Sequence, residues 1–263
     1  MTKSPISADP SSSPRHARSP ASADGVRRTD AGRIDLDVAH RRTVFRVGYA
    51  PDPFTWTDWH YADRGRFRGR WDDPDGTYRT LYVGASLLGC LLEVLADFRP
   101  DPELADQLDA IVDNDEADTK WPTVPGGTVP TGWLRPRRAG RAQLTGEFVD
   151  VRRAYTISSL RRRFGHLVRG LDLPDLDAAA LKLTAPRELT QAISRWCYGA
   201  IRPPITGIAF ASRFGDDIAM AAVFEQPDDG ASSSALARTA IIDLDENTPE
   251  LIEALAIHRL TWR

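Results

Sequence analysis

Hydrophobic positions in this chain fall into two rhythms, alternation and helical spacing, which trade places along its length. Thr43-Val44-Phe45-Arg46-Val47-Gly48 alternates, with Val44 and Arg46 on one face and Phe45 and Val47 on the other, and predicts a strand. Thr80 to Gly84 predicts the next strand. Ser86 then stands at an N-cap position ahead of the run Leu87 to Leu95, so a helix is predicted to about Phe98, ended by Pro100 and Pro102. Residues 103–112 read as a short helix, and 113–128, acidic and then rich in Pro and Gly, as a loop or insertion. Strand-like segments follow at 130–135 and 144–151, then a helix capped by Thr156 that carries Arg161, Arg162 and Arg163. A helix over 186–198 places Ala192, Ile193, Trp196 and Cys197 at helical spacing. Residues 207–212 and 218–224 predict two strands around Phe214-Gly215-Asp216-Asp217, and residues 239–244 a last strand. The final helix runs from Thr248 to about His258.

Strands and helices interleave without a regular βαβ repeat, which predicts an α+β fold rather than a doubly wound sheet. Residues 1–40 are rich in Ser, Pro, Ala, Arg and Asp without apolar periodicity and read as a disordered N-terminal extension. One domain is expected over 41–263, with an insertion around 99–140. Residues 50–76, rich in Pro, Gly, Asp and aromatics, form a loop long enough to expect a function of it.

Charge and composition narrow the classes. A net charge of -3 argues against a general nucleic-acid or membrane-surface binder. No apolar run reaches the ~18 residues of a membrane span, and the N-terminus has no apolar signal core. A cytoplasmic protein is the expectation. Cys90 and Cys197 lie far apart in apolar surroundings and read as buried free thiols. The chain has no P-loop, no G-x-G-x-x-G, no H-E-x-x-H and no G-x-S-x-G. His16, His40, His60, His166 and His258 are scattered without metal-ligand spacing, so no metal is expected.

What remains is a dense local chemistry. Arg66-Phe67-Arg68-Gly69-Arg70-Trp71 sets three arginines and two aromatics shortly before Glu93, a lone carboxylate inside an apolar helix. A carboxylate in that setting is costly to bury without a partner, and arginines both pair with it and hold phosphates. The arrangement suggests a site for an anionic, phosphorylated ligand with one acid placed for chemistry. Taken singly, Arg46 is a strand arginine, Tyr82 a half-buried strand tyrosine and Ser212 a strand-end serine; order and spacing give them meaning.

That order resembles the RES domain, a bacterial family named for its arginine, glutamate and serine. The matching segments are Phe45-Arg46, Gly65-Arg66-Phe67 with Gly69-Arg70-Trp71, Leu81-Tyr82-Val83-Gly84-Ala85-Ser86, and Glu93, with a weaker match at Thr206 to Ser212 and Met220 to Phe224. The resemblance implies a fold like that of the ADP-ribosyltransferase toxins, with mixed sheets and flanking helices. It also implies cleavage of the nicotinamide–ribose bond of NAD by the toxin of a toxin–antitoxin pair. Carried over, Glu93, Arg46 and Tyr82 would be catalytic. Arg46, Arg66, Arg70, Trp71, Tyr82 and Ser212 would touch the dinucleotide. NAD is then substrate, and no cofactor is expected. The implied partner is a helix-turn-helix antitoxin, through which alone nucleic acid would be met; no membrane is involved. Two other readings stand beside this one: transfer of ADP-ribose to a macromolecule, and a catalytically inactive nucleotide-binding module.

Asp72-Asp73 departs from the family pattern, which has asparagine after the tryptophan. Negative charge there would weaken pyrophosphate binding unless Arg66 or Arg68 pairs with it.

Overall fold

The longest alternating stretch builds the longest strand. A computed structural model describes residues 25–100 and 127–263. In it β2 runs from Gly32 to Tyr49, preceded in a tight hairpin by β1 (Val26–Thr29). Strands β3 (Thr80–Gly84), β4 (Thr128–Val129), β5 (Arg137–Asp150), β6 (Gly207–Ser212), β7 (Gly215–Phe224), β8 (Leu236–Asp243) and β9 (Thr261–Trp262) follow. Helices α1 (Leu87–Leu95), α2 (Ala154–Gly170), α3 (Glu188–Ala200) and α4 (Pro249–His258) are interspersed. The large sheet runs β1-β2-β3-β7-β6-β5-β8, and β2 also pairs with β5. Strands β2, β3, β7, β6 and β5 therefore close into a ring. Only the β5–β6 pair within it is parallel.

Alternation sorts these strands between three cores. The ring's inner faces supply Val44, Leu81, Val83, Leu144, Phe148, Ala209, Ala221 and Val223 to one core. Outer faces of β6 and β7, through Ile208, Phe210, Ala222 and Phe224, pack under α2 and α3. Val47 and Ala139 face α1 and α4, which bring Leu91, Leu95, Leu251 and Leu255. The architecture is α+β, as the irregular interleaving predicts. Among the described residues no helix is long and apolar enough to cross a membrane.

Three expectations are corrected. β1 and β2 lie within the expected extension, so residues 26–29 and 32–40 are strand joined by a turn; Ile34, Leu36 and Val38 alternate with charged neighbours there, and Ile34 is fully buried. Residues 130–135 hold no strand but a 3-10 turn, Thr131–Trp133, begun by Pro130, which has no N–H for a ladder. Thr156 does not cap α2, whose N-cap position is Arg153; its hydroxyl accepts the Asp35 amide at 3.0 Å and ties the helix to β2. The predicted helix at 103–112, residues 1–24 and most of the expected insertion lie outside the described residues.

Candidate active site

Gly69 opens the site loop. A Cβ at this position would collide with the Tyr82 hydroxyl and the Asp72 carboxylate, so only glycine lets the loop lie so close to β3. The Trp71 amide donates to Tyr82 Oη at 2.8 Å, and its carbonyl accepts from Ser194 Oγ of α3 at 2.7 Å. Gln191 Nε2, one turn earlier on α3, donates to the Gly69 carbonyl at 3.1 Å. The loop is thus fixed to β3 on one side and α3 on the other, and it presents Arg70 between them.

Arg70 is nearly buried, with 7% of its surface exposed, and its guanidinium lies 5.9 Å from the Phe210 ring centre. Burial pulls its pKa down, and Glu93 is the principal charge opposing that shift. Yet Arg70 Nε and Glu93 Oε1 are both buried without a hydrogen-bond partner. Each alone is an expensive arrangement. The two groups feel each other's charge, and each keeps one polar atom unused.

Helix α1 fixes Glu93. Ser86 caps it as predicted, its Oγ accepting the Gly89 amide at 3.1 Å. Leu87, Cys90, Leu91, Leu92 and Leu95 are buried around the helix, which leaves Glu93 half-buried at the one polar position. Cys90 Sγ donates to the Phe45 carbonyl at 3.1 Å, and burial pushes its thiol up to about 12. Cys197 is buried and its thiol is raised too, so neither cysteine is poised as a nucleophile.

Asp72 and Asp73 are both engaged by hydrogen bonds within the loop and to β3. Asp72 Oδ2 accepts the Gly69 amide, and Oδ1 accepts the Tyr82 hydroxyl at 2.9 Å. Burial raises its pKa. Asp73 caps the next turn, accepting from the Thr77 amide and hydroxyl at 2.5 and 2.6 Å. The expected remedy, pairing with Arg66 or Arg68, is therefore not the one used. Arg68 pairs with Asp63 instead.

The other predicted site residues divide. Tyr82 packs edge-on against Phe210, the ring that also lies under Arg70, with its hydroxyl committed to Asp72 and burial holding that hydroxyl protonated. Arg46 donates from Nε to the Pro53 carbonyl at 2.6 Å and from Nη1 to the Tyr82 carbonyl at 2.8 Å. These bonds tie β2 to the loop at Pro53 and to β3 at Tyr82. Two assignments to the ligand need correction. Trp71 is fully buried against Phe210, so no base can stack on it. Ser212 is fully buried, its hydroxyl accepting the Phe214 amide at 3.0 Å to hold the β6–β7 turn. Arg66 is exposed, with its backbone bonded to Asp63, and this placement leaves its side chain open to a ligand.

Two arginines went unforeseen. Arg187, at the start of α3, and Arg213, in the β6–β7 turn, both add positive potential at Arg70. Arg213 follows Ser212 directly, a signal the sequence offered. Arg187 has no distinguishing neighbours in a chain with 34 lysines and arginines. Phe210 also lines an adjoining cavity of about 310 Å³ with Val151, Arg152, Leu181, Lys182 and Asp216.

A family model described as "RES domain" matches residues 43–245. The chain belongs to the RES domain family. A solved structure, the crystal structure of the M. tuberculosis MbcT-MbcA toxin-antitoxin complex, aligns with 14% sequence identity. The alignment covers 84% of this chain and 89% of that one, with a TM-score of 0.43. Among curated proteins none matches. The RES match spans both Glu93 and Arg70, and it also includes Arg187 and Arg213.

Proposed function

We propose that this RES domain protein cleaves the nicotinamide–ribose bond of NAD and acts as the toxin of a toxin–antitoxin pair. The observation that carries the reading is the Arg70–Glu93 pair, electrostatically coupled, with a buried guanidinium nitrogen and a buried carboxylate oxygen both lacking partners. A dinucleotide has what both lack: phosphate oxygens for the arginine and ribose hydroxyls for the acid.

The chemistry follows from the residue types. As the glycosidic bond breaks, its electron pair leaves with nicotinamide and positive charge develops on the ribose, as in glycoside hydrolysis. The Glu93 carboxylate stabilises that charge and accepts a hydrogen bond from a ribose hydroxyl. Arg70 holds the pyrophosphate. Tyr82 walls the site with its ring while its hydroxyl, held by Asp72, fixes the loop. Arg46 acts at one remove, keeping β3 and hence Tyr82 in place. The cavity beside Phe210 is large enough for one base of the dinucleotide. Water or phosphate completes the reaction by attacking the sugar carbon and releasing a proton.

Transfer to a macromolecule is the less favoured outcome. Many protein-modifying relatives carry a second acid two residues before the catalytic glutamate; here that position is Leu91, fully buried in the helix core. The proposed partner is a small helix-turn-helix antitoxin that blocks the site. Incubating the purified protein with NAD tests the reading. Free nicotinamide should appear, along with ADP-ribose or its phosphorylated form by mass spectrometry. Absence of nicotinamide, or label from NAD retained on protein or nucleic acid, would exclude it.

A further inference from the structure

We propose that His258 is a positioning residue for Glu93, holding the last turn of α1 by the peptide that joins Leu92 to Glu93 and held in turn by Phe214 of the β6–β7 turn. The proposal rests on the NAD-cleaving reading for what Glu93 does. It goes beyond that reading because His258 lies outside residues 43–245, the stretch that matches the RES model.

Helix α1 is anchored along its length by contacts of different kinds. Ser86 caps its start, and Cys90 Sγ bonds the Phe45 carbonyl of β2 at 3.1 Å. Glu93 stands beyond both, in the last turn before Leu95. There Leu251, Ala254 and Leu255 of α4 share a core with Leu91, Leu92 and Leu95 of α1. Apolar packing is non-directional and helix ends fray, so packing alone leaves that turn free to shift. His258, the last residue of α4, adds a directional link, with Nε2 bonded to the Leu92 carbonyl at 2.8 Å. A carbonyl can only accept, so Nε2 carries the proton. Side-chain donors of this kind commonly engage the last carbonyls of a helix. The nitrogen of the same planar peptide unit belongs to Glu93, so the constraint passes directly to the acid's own backbone.

The imidazole is itself fixed. It is buried, and the Phe214 ring meets it edge-on with centres 4.9 Å apart. Phe214 is held in its turn, its amide donating to Ser212 Oγ at 3.0 Å. The guanidiniums of Arg213 and Arg99 lie 4.6 and 5.3 Å from its ring centre. Behind His258 the chain is pinned as well. Arg259, left-handed at φ 55°, ends α4, and β9 then pairs with β4. An unbroken series of contacts therefore runs from the Ser212 hydroxyl through the Phe214 ring and the imidazole to the Leu92–Glu93 peptide. It gives the buried Ser212 a part in the site without contact to the ligand.

The carbon-13 resonance of the Glu93 side-chain carboxyl, assigned in the full chain by its disappearance in Glu93→Gln, tests the link without substrate. His258→Leu should move it. His258→Gln, whose amide nitrogen replaces the Nε2 donor, should return it toward the wild-type position. Phe214→Leu, a change at a half-buried ring, should move it the same way by less, and it reads the link even where His258→Leu does not fold. In nicotinamide release from NAD, His258→Leu should lower kcat by about tenfold to a hundredfold, as for a reacting group misplaced by about 1 Å. KM should be largely kept, since the loss falls on the transition state, and His258→Gln should recover much of the rate. A carboxyl resonance unmoved in the folded variants, or kcat as high in His258→Leu as in the wild type, would overturn the proposal. A resonance that moves as expected in a protein whose wild type releases no nicotinamide would instead uphold the positioning and sink the NAD reading.

Discussion

A guanidinium nitrogen and a carboxylate oxygen, both buried and both unpartnered, set the terms at the scale of single residues. Natural interiors leave few such atoms, and each calls for an explanation. Asp72 shows the opposite arrangement, a buried acid fully engaged by Tyr82 and Gly69. Its raised pKa has a consequence of definite sign. Above 3.8 the unfolded chain has released this proton while the folded chain still holds it, so stability declines as pH rises through the window above that value. Asp72→Asn should abolish this slope and melt at or above the wild-type temperature at neutral pH. Parallel melting curves across pH for the two proteins would contradict the assignment. The sequence made this acid pair look like an obstacle to phosphate. Burial and backbone hydrogen bonds, which no spacing rule reveals, turned it into loop structure.

Elements were more legible than contacts. Helix α1 was readable from Ser86 and the apolar run behind it because a cap and a helical stripe are local signals. The β1–β2 hairpin was hidden because charged residues occupy every second position and blend into a polar tail. Strand β5 begins well before its most apolar stretch, because pairing with β2 and β8 supports its charged first half. Arg70 and Glu93 were found because each stands out in its own segment. Arg187 was not, since only the docking of α3 against the site loop gives it a role. The cap on α1 carries its own prediction. Ser86→Ala removes the Gly89 hydrogen bond and should cost about 1 kcal/mol, or about 2–4 °C in Tm for a chain of this size. Because the helix positions Glu93, nicotinamide release should fall as well. A variant with unchanged melting temperature would show that packing alone holds the helix end.

At the scale of the whole molecule, β2, β3, β7, β6 and β5 close into a ring, and Phe210 on its outer face lies against Arg70. Helices α1 and α3 reach that face from separate cores. No cluster of three metal-binding side chains occurs among the described residues, and the proposed chemistry uses only a carboxylate and arginines. Nicotinamide release should therefore persist in a chelator; its loss there would require a metal the account does not use. The most direct test is steady-state nicotinamide release by wild type, Glu93→Gln and Arg70→Gln side by side, each verified as folded by circular dichroism. If Arg70 and Glu93 form the NAD site, Glu93→Gln loses kcat by orders of magnitude while KM is largely kept. Arg70→Gln raises KM. Equal turnover by Glu93→Gln, or none by the wild type, would contradict the account.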